Sequence, residues 1–381
     1  MKPIYLDHAA TTPVHPEVIQ AMIPALEDIY GNPSSVHHFG RKARQLLDQA
    51  RTVMAKSIHA TEKDIIFTSG GTEADNIALI GSAMVNKDKG NHIITTTIEH
   101  HATLHAAEYL EKQGFKVTYL PVNEEGQVSV KQLEAALTDD TIVVSVMYVN
   151  NETGVIQPIK EIGAVLKEHQ AYFHTDAVQA YGTLDIDVKE LGVDLLSVSS
   201  HKINGPKGIG FLYAREGIKV QSLLHGGQQE RKRRPGTEHV AGIKGFQHAV
   251  EIAVKERQEK VNTYRNYKQL FIDHLEKAGV NFAVNGNLEK IVPTIINLSF
   301  PGTNVEALLT NFDLSGIAAS SGSACTAGSV EPSHVLSAMY GSEDRRTVNS
   351  IRFSFGLANT EENVVEAAER VTKIVKRLTK H

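Results

Sequence analysis

Lys202 follows the run Leu195-Leu196-Ser197-Val198-Ser199 and precedes Gly205-Pro206-Lys207-Gly208, so it lies just past the carboxyl end of a predicted strand, on a loop tightened by glycine. That edge is where open α/β sheets place ligands. Ser199 and His201 flank it with polar groups. Asp176 closes the strand-like run Tyr172-Phe173-His174-Thr175, and Gln179 follows about one helical turn later. A lysine able to form a Schiff base, a carboxylate to keep a ring nitrogen protonated and a donor for a ring oxygen are the set that pyridoxal phosphate needs.

A second block, Thr68-Ser69-Gly70-Gly71-Thr72-Glu73, sits between the strand-like Ile65-Ile66-Phe67 and a helix expected over 76–83. Glycines at a strand-to-helix turn expose backbone N–H groups, and a helix N-terminus adds positive potential, so a phosphate is the expected guest. The block fits neither G-x-x-x-x-G-K nor G-x-G-x-x-G. The third reagent is the only cysteine, Cys325, inside Ser320-Ser321-Gly322-Ser323-Ala324-Cys325-Thr326-Ala327-Gly328-Ser329. Small neighbours argue against a buried hydrophobic thiol, and a thiolate is a strong nucleophile. Arg352, in the strand-like Ser350-Ile351-Arg352-Phe353-Ser354, has the fork that suits a carboxylate bidentately. Each residue taken alone has an ordinary alternative: a solvated lysine, an N-cap aspartate, a structural salt bridge, a packed cysteine.

These groups need a scaffold that brings them to one edge. Strand-like and helix-like segments alternate from His92 to Ser199: strands at 92–97, 115–120, 142–148, 172–175 and 195–199, helices at 102–113, 130–137 and 159–167. That alternation predicts a mainly parallel sheet between helices. The last third differs, with a long charged helix over 245–278, strands at 294–300 and 350–354, and a final helix from Thr360. The expectation is a large domain over 14–255 and a smaller α/β domain over 256–381, joined by residues 1–13. The formal charge of −5 argues against direct nucleic-acid binding, and the basic run Arg231-Lys232-Arg233-Arg234 is the local exception. No apolar run approaches a membrane span or an export signal, so a cytoplasmic location is expected. One cysteine excludes an internal disulfide and an all-cysteine metal site, and no metal is expected.

With those blocks in place, the chain resembles the NifS/IscS-type cysteine desulfurases of the class-V aminotransferase family. Leu6-Asp7-His8-Ala9-Ala10-Thr11-Thr12-Pro13, Gly31-Asn32-Pro33-Ser34-Ser35, Phe67 to Glu73, Val149-Asn150-Asn151-Glu152-Thr153-Gly154, Ser199 to Lys202 and Ser320 to Cys325 carry the likeness. It implies a fold-type I pyridoxal-phosphate enzyme with a seven-stranded type of sheet, of the long-catalytic-loop group. It also implies roles. Lys202 would bind the cofactor covalently, Asp176 would face the pyridine nitrogen and Gln179 the ring hydroxyl. His100 would stack on the ring and move protons. Gly71, Thr72, Ser199 and His201 would hold the phosphate, together with Thr237 of a partner subunit, so a homodimer is implied. Arg352 and Asn151 would take the substrate carboxylate, and Asn151 would also touch the ring. Lys202 would remove the α-proton of L-cysteine, Cys325 would attack the substrate sulfur, and alanine would leave with a persulfide on Cys325. The sulfur would pass to a tRNA thiolation enzyme or an iron–sulfur scaffold. The ending directly after the last helix resembles the Gram-positive relatives that feed tRNA thiolation. A selenocysteine lyase and a non-enzymatic sulfur carrier are the alternatives; the carrier would not need Lys202, Asp176 and Gln179 at one sheet edge.

Overall fold

The computed structural model describes residues 2–321 and 332–379. Cys325 lies outside the described residues.

Short runs, mostly apolar, build the main sheet. Its seven strands lie in the order Ile65–Thr68, Gly210–Ala214, Leu195–Ser199, Tyr172–Asp176, Thr141–Ser145, His92–Thr96, Lys116–Leu120. Only Gly210–Ala214 runs against the others, since it pairs antiparallel with both neighbours while the remaining pairings are parallel. Helices cover both faces. The central strands are therefore buried at every residue and read as continuous apolar runs, with no alternation. The expected strands sit within a few residues of the observed ones. The reversed strand Gly210–Ala214 was not anticipated from the sequence, because a run buried on both faces carries no period.

All six parallel strands end at one edge, and the loops after five of them carry the candidate residues: Gly71 and Thr72, His100, Asn151, Asp176 with Gln179, and Ser199 with His201 and Lys202. The helix after Ile65–Thr68 begins at Gly71, five residues before its expected start, and runs to Val85 through a wider-wound turn over Ile77–Gly81.

A smaller antiparallel sheet, Ser350–Ser354, Ile295–Ser299 and Ala283–Val284, supplies Arg352. The strand Ile4–Tyr5 pairs with Ile317–Ala318, and Ile4 and Leu6 are buried in the same apolar cluster as Phe271, Phe300, Phe312 and Phe353. The helix Val240–Lys277 crosses between the clusters: Ala241 to Ala253 pack against the main sheet, and Phe271, Ile272 and Leu275 pack in the smaller cluster. The expected boundary at 255/256 falls inside this helix. Each fully buried Phe or Leu of these clusters contributes about 1.5–3 kcal/mol of transfer free energy, so each end of the helix is held by its own apolar set. The last helix, Glu361–Leu378, starts at Thr360, whose side chain accepts from Asn363 N while the Asn363 side chain accepts from Thr360 N. Its buried stripe runs through Val364, Ala368, Val371, Ile374 and Val375 at helical spacing, with Val365 and Leu378 half-buried beside it. Among the described residues no helix is long and apolar enough to cross a membrane, and no group of side chains could hold a metal ion.

Candidate active site

A cavity of about 560 Å³ opens at the carboxyl edge of the main sheet, and Gly71, Thr72, His100, Asn151, Asp176, Gln179, Ser199, His201, Lys202 and Arg352 all line it. Ten candidates from five strand ends and a second sheet thus meet in one place. Thr237 is exposed and does not line this chain's cavity.

The large-sheet wall is closely wired. Lys202 Nζ donates to the carbonyls of Ala9 and, at 2.8 Å, of Ala10. Burial, with Arg352 adding to it, lowers the Lys202 amine to about 8, against opposing pulls from Asp176 and Asp7. Gln179 Nε2 donates to the Ala9 carbonyl at 2.9 Å, leaving its second N–H for another acceptor. Asp176 accepts from Val178 N at 2.8 Å. Burial raises Asp176 to about 6, and the Val178 N–H and Lys202 pull the other way. Asp75, on the Gly71–Asn76 turn of helix, lines the same cavity and is pushed up by burial and by Asp176. Each carboxyl disfavours charge on the other, so the pair titrates as a unit and resists carrying two negative charges. Below them His174 is fully buried, with Nδ1 at 2.8 Å from Ser145 Oγ and Nε2 at 2.9 Å from Ser197 Oγ. Burial drives its pKa down to about 3, so it is neutral.

His100 precedes the helix His101–Lys112, and its Nδ1 accepts from Ala102 N at 3.1 Å. That bond places the ring proton on Nε2. Burial first, then the charge of Lys202, lowers His100 to about 4. A neutral ring with a fixed tautomer can lie against another ring without a charge to desolvate. Glu99 beside it is fully buried, accepts from Thr96 Oγ1 at 2.7 Å and Met147 N at 2.9 Å, and is raised by burial to about 8.

The anion cradle rests on a close approach. A Cβ on Gly71 would stand 2.8 Å from Val178 Cγ2, so glycine lets the turn fit against the next loop. Ser199 is buried beside it, and His201 Nδ1 lies 3.1 Å from Thr11 Oγ1. Burial and the neighbouring Lys202 and Lys207 lower His201 to about 4.

The second wall carries Arg352 and Asn151. Arg352 is buried; Nη2 donates to Asp7 Oδ1 at 2.9 Å and Nη1 to the Asn151 carbonyl at 2.8 Å. Its Nε and the Asn151 Oδ1 are buried without a hydrogen-bond partner among the described residues. Asn151 is shaped by Asn150, whose Oδ1 accepts from Glu152 N and Thr153 N at 3.0 and 2.9 Å. Asp75, Glu99, Glu152, Ala9 and Ala10 were not picked out as site residues from the sequence. The two alanines act through backbone carbonyls, which leave no mark on residue type. The acids could have been suspected only as carboxylates inside apolar or glycine-rich blocks.

The class-V aminotransferase family matches residues 4–366. A Bacillus subtilis protein named IscS 1 is 59% identical over 379 residues, which cover 100% of both chains. A Clostridium botulinum cysteine desulfurase IscS is 48% identical over 378 residues, 99% of this chain and 95% of that one. The chain belongs to the class-V aminotransferases, among the NifS/IscS-type cysteine desulfurases. A solved NifS-like protein, 36% identical, superposes with a TM-score of 0.92 over 98% of this chain and 100% of its own. Members of the family depend on pyridoxal phosphate. The cavity fits that group: a glycine turn for a phosphate, a buried carboxylate, a histidine held neutral and a lysine amine of lowered pKa all line it.

Proposed function

We propose that this cavity converts L-cysteine to L-alanine and hands the sulfur to Cys325. The observation that carries the reading is the meeting of Lys202, Asp176 and Arg352 in one cavity. Bound pyridoxal phosphate supplies a covalent hold on the substrate nitrogen and a sink for the electrons of its α-carbon. Lys202 would anchor it, and Gly71, Thr72, Ser199 and His201 would hold the phosphate. Asp176 would serve the ring nitrogen and favour its protonated form. Gln179 would offer its second N–H to the ring oxygen. His100 would lie against the ring, with its proton on Nε2. Arg352 and the Asn151 amide fix the substrate carboxylate. The freed Lys202 amine, held by the Ala9 and Ala10 carbonyls, takes and returns the α-proton. The Cys325 thiolate forms the new S–S bond as the substrate C–S bond breaks, and the substrate carbon keeps the electron pair and then a proton.

Two finer readings belong with this. Thr237 reaches the phosphate of a second copy, making the enzyme a homodimer. Its exposure supports that, as do the exposed Leu26, Tyr30, Val36 and Phe39, with Tyr30 and Phe39 stacked at 5.4 Å. The persulfide passes to a tRNA thiolation enzyme or an iron–sulfur scaffold. Borohydride reduction of the holoenzyme followed by peptide mass spectrometry tests the anchor: the cofactor mass is expected on Lys202, and a cofactor mass on another lysine contradicts the reading. Light scattering with wild type and Thr237→Val tests the dimer; a monomeric, fully active wild type refutes it. Incubating radiolabelled persulfide enzyme with each acceptor decides between the two, and labelling of neither refutes both.

A further inference from the structure

The block Leu6 to Pro13 carries part of the family likeness, and beyond the Ala9 and Ala10 carbonyls that receive Lys202 the structure gives it a further role. Its Ala9 and Ala10 line the cavity, and residues 7–12 touch four site residues. Asp7 pairs with Arg352 at 2.9 Å. Ala9 and Ala10 receive Lys202, and Ala9 also receives Gln179. Thr11 meets His201 Nδ1, and Thr12 donates to the His201 carbonyl at 2.8 Å. The segment is fixed on both sides: Ser354 Oγ accepts from Ala9 N at 2.8 Å, and Ser354 N donates to the Leu6 carbonyl at 2.8 Å. On the other side Asn204 N donates to Thr12 Oγ1 at 2.9 Å.

From this geometry we infer that Asp7 is a positioning residue for substrate recognition: with the Asn151 carbonyl it clamps two nitrogens of Arg352 and leaves the rest of the guanidinium edge for the amino-acid carboxylate. The inference rests on the reading of Arg352 as the carboxylate anchor. A guanidinium has five N–H groups. Two are committed, one to Asp7 and one to Asn151. The Nε–H is buried with no partner among the described residues, on a side chain 5% exposed. A buried donor of that kind costs free energy until an acceptor arrives. A carboxylate can take Nε–H together with an adjacent Nη N–H, the forked arrangement that arginine favours. Without Asp7 the guanidinium has one clamp left and a choice of rotamers, and part of the binding free energy goes into choosing one.

The test uses holoenzymes of wild type, Asp7→Ala, Asp7→Asn and Arg352→Gln, titrated with L-alanine and with ethylamine, which lacks the carboxylate. Binding is read from the visible absorbance of the bound cofactor. Asp7→Ala is expected to weaken L-alanine about tenfold or more, the range set by losing one hydrogen bond to a charged group, and to leave ethylamine unchanged. Asp7→Asn keeps an acceptor at the same place and is expected to lose less. Unchanged or tighter L-alanine binding in both Asp7 variants overturns the proposal, because Asp7 would then be idle or a competitor for Arg352. Equal weakening of both ligands overturns it too, since that is the mark of general damage. Arg352→Gln keeps the two failures apart. Wild-type L-alanine affinity in Arg352→Gln removes the anchor itself, whereas a large loss there with none in Asp7→Ala removes only the role of Asp7.

Discussion

The two walls of the cavity hold their charges by different means. On the large-sheet wall, burial sets the protonation states: Asp176 and Asp75 are raised, Lys202 is lowered, and His100, His174 and His201 stay neutral. On the small-sheet wall, pairing does the work, with Arg352 locked between Asp7 and Asn151. The first wall suits a group that stays, since tuned pKa values serve a resident cofactor through every turnover. The second suits a group that comes and goes, since it leaves the Arg352 Nε–H without a partner among the described residues, a donor that a carboxylate can take.

The contrast can be broken in order of expected size. Lys202→Ala should abolish cysteine turnover, measured as alanine release, because among the described residues no other lysine lines the cavity. Turnover near wild type would mean the resident side is misassigned. Asp176→Asn should cost about 10²-fold or more in kcat, by removing a preorganised charge from a buried site, with KM for cysteine changed much less. Arg352→Gln should do the reverse and raise KM more than it lowers kcat. If both variants act on the same parameter, the division of labour between the walls is wrong. A smaller effect concerns pH. Lys202 is lowered to about 8 by burial, so its amine is the reactive neutral form above that value. Recapture of pyridoxal phosphate by stripped protein should therefore accelerate as pH rises through about 8 and then level off, followed by absorbance.

The smallest effect is on stability. His8, His100, His174 and His201 have folded pKa values lowered to about 4, 4, 3 and 4 from 6.5. Their unfolded forms take up protons first, so the stability they contribute is present above pH 6.5 and is lost as pH falls toward about 4. Denaturant midpoints should drop across that window, and a flat profile would show that these rings are protonated in the folded state.

The sequence made the resident wall legible better than the visiting one. Lys202, Asp176 and Gly71 stand at or just past the ends of short strand-like runs, followed by polar or glycine-containing turns that mark the edge of a sheet. Arg352 lies inside a strand, and from the residues alone, without the family likeness, a structural salt bridge is the better reading; the structure contains such a bridge, to Asp7, alongside the unpartnered Nε. The link from Asp7 to Arg352 spans 345 residues, a separation no local pattern encodes. Asp75 and Glu99 were also out of reach, because their meaning depends on burial against Asp176, which only the packed helix and sheet create. Gly210–Ala214 escaped for the same reason, and its reversed direction follows from pairing rather than from composition.

The central claim is that the cavity removes sulfur from cysteine and loads it on Cys325. Mass spectrometry of the Cys325 peptide after exposure of the holoenzyme to L-cysteine, beside Lys202→Ala treated alike, tests it most directly. The account predicts a peptide one sulfur atom heavier in wild type and unchanged in Lys202→Ala. Alanine release by wild type with no added sulfur on Cys325 at any time would contradict it.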